Sequence, residues 1–356
     1  MSSCCKEDAP LCGLRDSLRH RLEIVRKALN HDVNKCRGRV LNEAEIRLFV
    51  NEVLVLVCDD IGIEFVPEWS VCGGRCDYIV KCGEVVVAVL ETKKENVLTR
   101  KALDQSVEYK RLLHAHKHAF AIATDFFTWM FTFPMEDGSG LNCIRHEAAR
   151  TDEELTQTVS FLRTRLQIAT LAAKLVASPV AVGRVWPSPK RRKVRSEEEN
   201  DQAGFKCVAS HVGRRWEGLK ITDNAAFDWL LDEDVPVALW TRIELVCRVT
   251  GLPNVYGGIG DYNEGQARLV INEILLFLCC ELPVHLQAEF HIKSALPGFA
   301  DYVLVSGDDV VAVLEAKACG TRNGKKRKFM FVWLDLKQSL GYVAKLTALN
   351  KGSRKP

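Results

Sequence analysis

Apolar residues recur along this chain with two periods. Residues 14–29 and 41–59 carry them at three- and four-residue spacing, which predicts helices. The second of these, NEAEIRLFVNEVLVLVC, starts with Asn42 as a natural N-cap and turns apolar on all sides toward its end. Such a helix is expected to be buried. Residues 63–71, 75–81 and 85–92 read as strands, with turns at Gly73-Gly74 and Cys82-Gly83. The run 85–90 is unbroken apolar with β-branched residues at four of its six positions, the mark of a strand buried on both faces. A helix over 99–114 follows, then a strand pair at 119–124 and 126–133 turning at Thr124-Asp125. Thr151 with Glu154 forms a capping box for a helix running toward residue 177. Helix, three strands, helix and strands make an α/β domain with a small mixed sheet.

The pattern breaks between residues 179 and 204, where prolines, PKRRKVR and EEEND give a polar linker. Beyond it the first half returns. Asn42-Glu43, Arg47-Leu48 and Asn51-Glu52 recur as Asn263-Glu264, Arg268-Leu269 and Asn272-Glu273, all at an offset of 221. Asp77 and Glu91 recur as Asp301 and Glu315 at 224, and Gln105 and Tyr109 as Gln338 and Tyr342 at 233. Steps in the offset place insertions in loops between preserved elements. The chain therefore reads as a tandem duplication of an αβββαβ unit: residues 1–178, the linker, and residues 205–356, with the second copy truncated at its C-terminal end. A length of 356 residues suits two domains of ordinary size.

Composition narrows this picture little. A net charge of +3 is too small to argue for nucleic acid by itself. The 14 cysteines follow no repeating framework, and together with an N-terminus unlike a signal peptide they suggest reduced thiols in an intracellular protein. Cys72, Cys76 and Cys82 are the one cysteine cluster to weigh as a zinc site, and no second ligand pair of matching spacing accompanies them. No apolar run reaches the length of a membrane span, so no membrane partner is expected.

Candidate chemistry lies where the buried strand ends. Glu91 and Lys93 are two apart, so they share a face while Thr92 points the other way. Asp77 belongs to the neighbouring strand, and Asp301, Glu315 and Lys317 repeat the set. Two carboxylates and a lysine suit metal-assisted phosphodiester cleavage, and they also suit ordinary strand-end ion pairs. Glu52, inside an apolar helix, is either a glutamate at a helix edge or a carboxylate placed beside the charged site.

In order, the motifs are Gly74-Arg-Cys-Asp77, Glu91-Thr-Lys93 and Gln105-Ser-Val-Glu-Tyr109, then Gly298-Phe-Ala-Asp301, Glu315-Ala-Lys317 and Gln338-Ser-Leu-Gly-Tyr342. This resembles the PD-(D/E)XK nuclease superfamily, a restriction-endonuclease-like fold, and most of all its lambda exonuclease and RecB-type branch with the pattern GxxD, (D/E)xK, QxxxY. A weaker similarity is to the nuclease-like modules of Crinkler-type effectors. The family's proline is absent, since Cys76 and Ala300 precede the aspartates. The resemblance implies a nuclease with Mg²⁺ or Mn²⁺ held by Glu52, Asp77 and Glu91, and by Glu273, Asp301 and Glu315. It gives Lys93 and Lys317 the attacking water, and turns Gln105, Tyr109, Gln338 and Tyr342 toward the sites. The alternative is an inactive module of that fold that binds nucleic acid or a protein.

Two basic runs add expectations. Lys190, Arg191, Arg192 and Lys193 have the form of a nuclear localisation signal, which implies an import receptor as partner and DNA in the nucleus as substrate. Arg322, Lys325, Lys326, Arg327 and Lys328 lie just after the second acid–base strand and suit backbone phosphate of nucleic acid.

Overall fold

The computed structural model describes residues 9–31, 40–71, 74–134, 142–176, 237–252, 263–292, 298–307, 309–314 and 316. They form a mixed α/β structure with one six-stranded sheet, a separate three-stranded sheet and six helices. The expected linker, its basic run, the helix bearing Gln338 and Tyr342, and the second basic run all lie outside the described residues.

Helices α1 (Ala9–Ala28) and α2 (Glu43–Ile61) come first. Asn42 caps α2 as expected. Its side chain accepts from Glu45 N at 2.9 Å, and the Glu45 carboxylate accepts from Asn42 N at 3.1 Å, a complete capping box. Gly62 ends the helix at φ 73°, a conformation that suits glycine. Strands β1 (Glu64–Val71), β2 (Gly74–Cys82) and β3 (Val85–Thr92) form an antiparallel meander. Helix α3 (Arg100–Leu112) carries the chain over to β4 (Phe120–Thr124), which pairs parallel to β3.

The central strands are sandwiched, as their apolar runs require. Tyr78, Val80 and Leu90 join Phe49 and Val53 of α2 in the main core. Ile79 and Val89 face the other way, against Tyr109 and Leu113. The alternation is that of a pleated sheet covered on both faces.

Three differences from expectation follow from local chemistry. Strand β5 (Thr128–Pro134) starts two residues late, because Phe126 takes φ 70° in a turn held by Thr124 and Asp125. An additional edge strand, β6 (Asn142–Ala148), pairs with β5. Helix α4 (Asp152–Val176) closes this half as expected, its start held by Thr151 and Glu154. The third difference is α5 (Val237–Val249), which precedes α6 (Glu264–Glu281) as α1 precedes α2.

The second half continues with β7 (His285–Ile292), β8 (Gly298–Ser306) and β9 (Asp309–Leu314), again an antiparallel meander. Details match across the halves. Asn263 makes the same capping box with Gln266. The β2–β3 register shifts at Val80/Lys81 and the β8–β9 register at Leu304/Val305. Glu68 and Glu289 both have positive φ, 53° and 47°.

The halves bind each other reciprocally. Asn42 Nδ2 donates to Ala288 O at 2.7 Å, and Asn263 Nδ2 donates to Pro67 O at 2.9 Å. Arg21 lies 2.7 Å from Glu52 and 3.8 Å from Glu273, while Arg242 lies 2.5 Å from Glu273 and 3.2 Å from Glu52. In this cluster each arginine reaches a glutamate of both halves. No helix among the described residues is long and apolar enough to cross a membrane.

The four-charge cluster is buried, with Glu52 and Glu273 at 2% and 3% exposure. Removing one arginine strands carboxylates in the interior. Arg242→Met should cost about 3–5 kcal/mol in chemical denaturation, and adding Glu273→Gln to it should restore part of that loss. An Arg242→Met chain as stable as wild type would show that the cluster does not hold the halves.

Candidate functional site

Asp77, Glu91 and Lys93 meet at the ends of β2 and β3. Glu91 accepts from Asp77 N at 3.2 Å and from Lys93 Nζ at 3.2 Å. Thr92 points the opposite way, toward α2, where Arg47 Nε reaches its hydroxyl at 3.2 Å. Asp77 Oδ2 accepts from Thr92 N and Thr92 Oγ1, both at 2.7 Å. Asp77 Oδ1 accepts from Arg47 Nη2 at 2.6 Å, and the same Nη2 donates to Glu43 Oε1 at 2.7 Å.

Burial and mutual repulsion shape the charges here. Glu91 is 2% exposed, and burial followed by the neighbouring Asp77 lifts its carboxyl from the ordinary 4.5 to about 7, against the pull of Lys93. Burial alone would lower Lys93, yet Glu91, Glu43 and Asp77 together hold it above its ordinary value. Glu43 is raised by burial, with Arg47 opposing and Asp77 adding to the rise.

Glu52, which the resemblance puts at the site, lies away from Asp77. Glu52 pairs with Arg21 and Arg242 between the helices, and Glu273 does the same in the second half, so neither joins Asp77 or Asp301. Glu43 and Glu52 are nine positions apart, about two and a half helical turns, and so lie on opposite sides of α2. Glu43 and Arg47, one turn apart, are the α2 residues that face the strand ends. One signal for them was present: both recur as Glu264 and Arg268 at the offset that aligns the helix caps.

The third motif meets the first. Gln105 Nε2 donates to Tyr109 Oη at 3.0 Å, and a Cβ on Gly74 would lie 2.5 Å from that oxygen. A side chain at position 74 would therefore force Tyr109 to shift. Gln105 and Tyr109 share a helix face, as their spacing demands.

In the second half Arg268 Nη2 donates to Asp301 Oδ1 at 2.6 Å and to Glu264 Oε1 at 2.7 Å, and Asp301 Oδ2 accepts from Ala316 N at 2.7 Å. Glu315, Lys317, Gln338 and Tyr342 lie outside the described residues, as do Lys190 to Lys193 and Arg322 to Lys328. Of the cysteine cluster, Cys76 and Cys82 are both free thiols, Cys76 buried and donating to Tyr78 O, and Cys72 lies outside the described residues.

A magnesium-type ion takes hard oxygens with open lone pairs and keeps several of its waters. Asp77 already gives both oxygens to three protein donors, and Glu91 gives its two to Asp77 N and Lys93. Among the described residues no three His, Cys, Asp or Glu side chains are placed to hold a metal. Mg²⁺ or Mn²⁺ therefore does not fit the arrangement as it stands.

No family model matches the chain, and no curated protein matches it. Among solved structures, that of the type IIG restriction endonuclease BpuSI is similar with a TM-score of 0.26 and 9% identity. The match covers 88% of this chain and 31% of that one, so this chain spans under a third of that protein's length.

Two outcomes follow. Gly74→Ala should cost about 1–3 kcal/mol through the clash with Tyr109, and Tyr109→Phe in the same chain should recover part of it. Thermal unfolding of the single and double variants checks this, and strictly additive losses would contradict it. The second concerns pH. Between the unfolded pKa near 4.5 and the folded value of about 7, the folded chain keeps a Glu91 proton that the unfolded chain has lost. Stability contributed by Glu91 is therefore full at low pH and falls as pH rises through that window. Glu91→Gln, which cannot ionise, should lose less melting temperature than wild type between about pH 5 and about pH 7.5. Parallel pH profiles would place the titration elsewhere.

Proposed function

We propose that the first half acts on the phosphodiester backbone of nucleic acid as a nuclease, with DNA in the nucleus as its substrate. The observation that carries this reading is the Glu91–Lys93 pair at 3.2 Å, beside Asp77, at the end of a strand buried on both faces. Lys93 keeps about a quarter of its side chain exposed (23%), while Glu91 is buried. A carboxyl lifted to about 7 exchanges protons with water near neutral pH, as a general acid or base must. A lysine ammonium beside it offers N–H groups to a phosphoryl oxygen as negative charge grows there. Further support comes from the three motifs converging in the family's order on the elements expected of them. We also take the two halves to be copies of one unit, on the strength of their matching caps, bulges and aspartate contacts. Entry to the nucleus rests on the form of residues 190–193 alone.

A second reading, an inactive module that binds nucleic acid or a protein, is favoured by one observation. Both aspartates are closed by an arginine at 2.6 Å.

One assay separates the readings. Linear and closed circular DNA, and RNA, are incubated with the purified chain in Mg²⁺, Mn²⁺ or chelator, beside Lys93→Ala, Glu91→Gln and Lys317→Ala. Cleavage by wild type that Lys93→Ala lowers by about 10²-fold or more supports the nuclease. Binding of these substrates without cleavage under any of the conditions supports the second reading.

A further inference from the structure

The same geometry recurs at both aspartates and has a direct chemical meaning. In the first half, one nitrogen, Arg47 Nη2, bridges Glu43 of the helix and Asp77 of the strand at 2.7 and 2.6 Å. In the second half, Arg268 Nη2 bridges Glu264 and Asp301 at the same two distances. A cationic nitrogen thus sits between a helix carboxylate and a strand carboxylate, where a divalent ion would bridge the two. We infer that Arg47 and Arg268 are the resident cations of these sites, and that in the folded chain they exclude Mg²⁺ and Mn²⁺ from them.

Three further observations support this assignment. First, the arginines are held at their other ends by a single carboxylate. Glu68 Oε1 lies 3.7 Å from Arg47 Nη1 and 3.2 Å from Arg268 Nη1. Glu68 is itself buried, and the N-terminus of α6 presses on it so closely that a Cβ at Gly265 would come within 2.7 Å of Glu68 Cγ. Glu68, which also pairs with Arg75 at 3.2 Å, thus keeps a buried negative charge beside both guanidinium groups. Secondly, Asp77 and Asp301 each give their remaining oxygen to a backbone N–H, from Thr92 and Ala316, at 2.7 Å. The other oxygen of each carboxylate, Oδ1, is taken by the arginine. Thirdly, the cavity between the two arginines, lined also by Tyr78 and Tyr302, holds only about 40 Å³. That is room for a few water molecules, not for an ion with the water shell that magnesium retains.

The inference deepens the nuclease reading, because a site filled by arginine should work in the presence of chelator, yet its own test requires no cleavage. Free Mn²⁺ is followed by electron paramagnetic resonance as it is titrated into the full chain. Wild type should bind none at these sites tighter than about 1 mM. Arg47→Met, which keeps much of the side chain's bulk without its charge, should gain a site at least about ten times tighter, and Asp77→Asn in the same chain should remove it. Arg268→Met should gain the corresponding site at Asp301. Arg47→Lys, which keeps a cation there, should gain nothing.

Circular dichroism first establishes which variants are folded. If Arg47→Met fails to fold, Arg268→Met asks the same question in the other half. If both fail, the wild-type titration decides alone. Wild-type Mn²⁺ binding that Asp77→Asn or Asp301→Asn abolishes would overturn the inference, as would folded methionine variants that bind no more than wild type. Cleavage that needs metal, with Mn²⁺ bound at Asp77, would sink the inference and leave the nuclease standing. Absence of both cleavage and Mn²⁺ binding would do the reverse.

Discussion

Charge that cannot reach water must find a partner, and this constraint organises the molecule. Helices α2 and α6 are apolar on nearly all sides, yet each carries a glutamate in its buried run. An isolated carboxylate there would be prohibitively costly. Glu52 and Glu273 are instead served by Arg21 and Arg242, and each arginine also reaches toward the glutamate of the opposite half. Burial lifts Glu273 to about 7 even so, with Glu52 adding to the rise and the two arginines opposing it. The compensation is therefore partial, and the halves meet where charge most needs the other's charge. Cap asparagines that donate across the interface fix the same relation at the helix starts.

From that relation the site region follows. The first turns of α2 and α6 lie over the strand ends, so Glu43 and Arg47, and Glu264 and Arg268, are the residues delivered there. Glu68 takes its place between the two arginines with a backbone in the left-handed region, a conformation that non-glycine residues adopt at a cost. Its ion pairs with Arg47, Arg75 and Arg268 offset that cost.

Much of this was legible in the residues. Apolar runs ending in charge placed β2, β3 and their acidic and basic ends, because a doubly covered strand has a distinctive composition. The Asn42 cap was legible because capping chemistry is local. That Glu43 and Arg47 face the strand ends was not. A helix apolar all round carries no stripe to say which side meets the sheet, and Glu52 is the more conspicuous carboxylate because it sits in an apolar run. Glu43 in a first turn looks like an ordinary partner for the helix dipole. Strand β6 escaped for another reason: NCIRHEA lies at an edge with several side chains exposed, and shows little apolar signal. Which charges pair with which across the two halves is a property of packing that no linear spacing encodes.

The interface is reciprocal but not perfectly so, and the exception bears on identity. Position 265 is glycine, whereas its counterpart at the offset of 221 is Ala44. The glycine lies against Glu68, where a methyl would be forced onto the side-chain stem. In the second half Glu289 leaves 39% of its side chain exposed, against 7% for Glu68. If two copies of the first half were to pair with each other in this way, Ala44 would have to occupy the place of Gly265 and would collide. One missing methyl thus makes the correct match more favourable than the self-match, which is how an interface discriminates between closely similar partners. Position 265 is thus a place where a single methyl decides how closely the second half can approach the first.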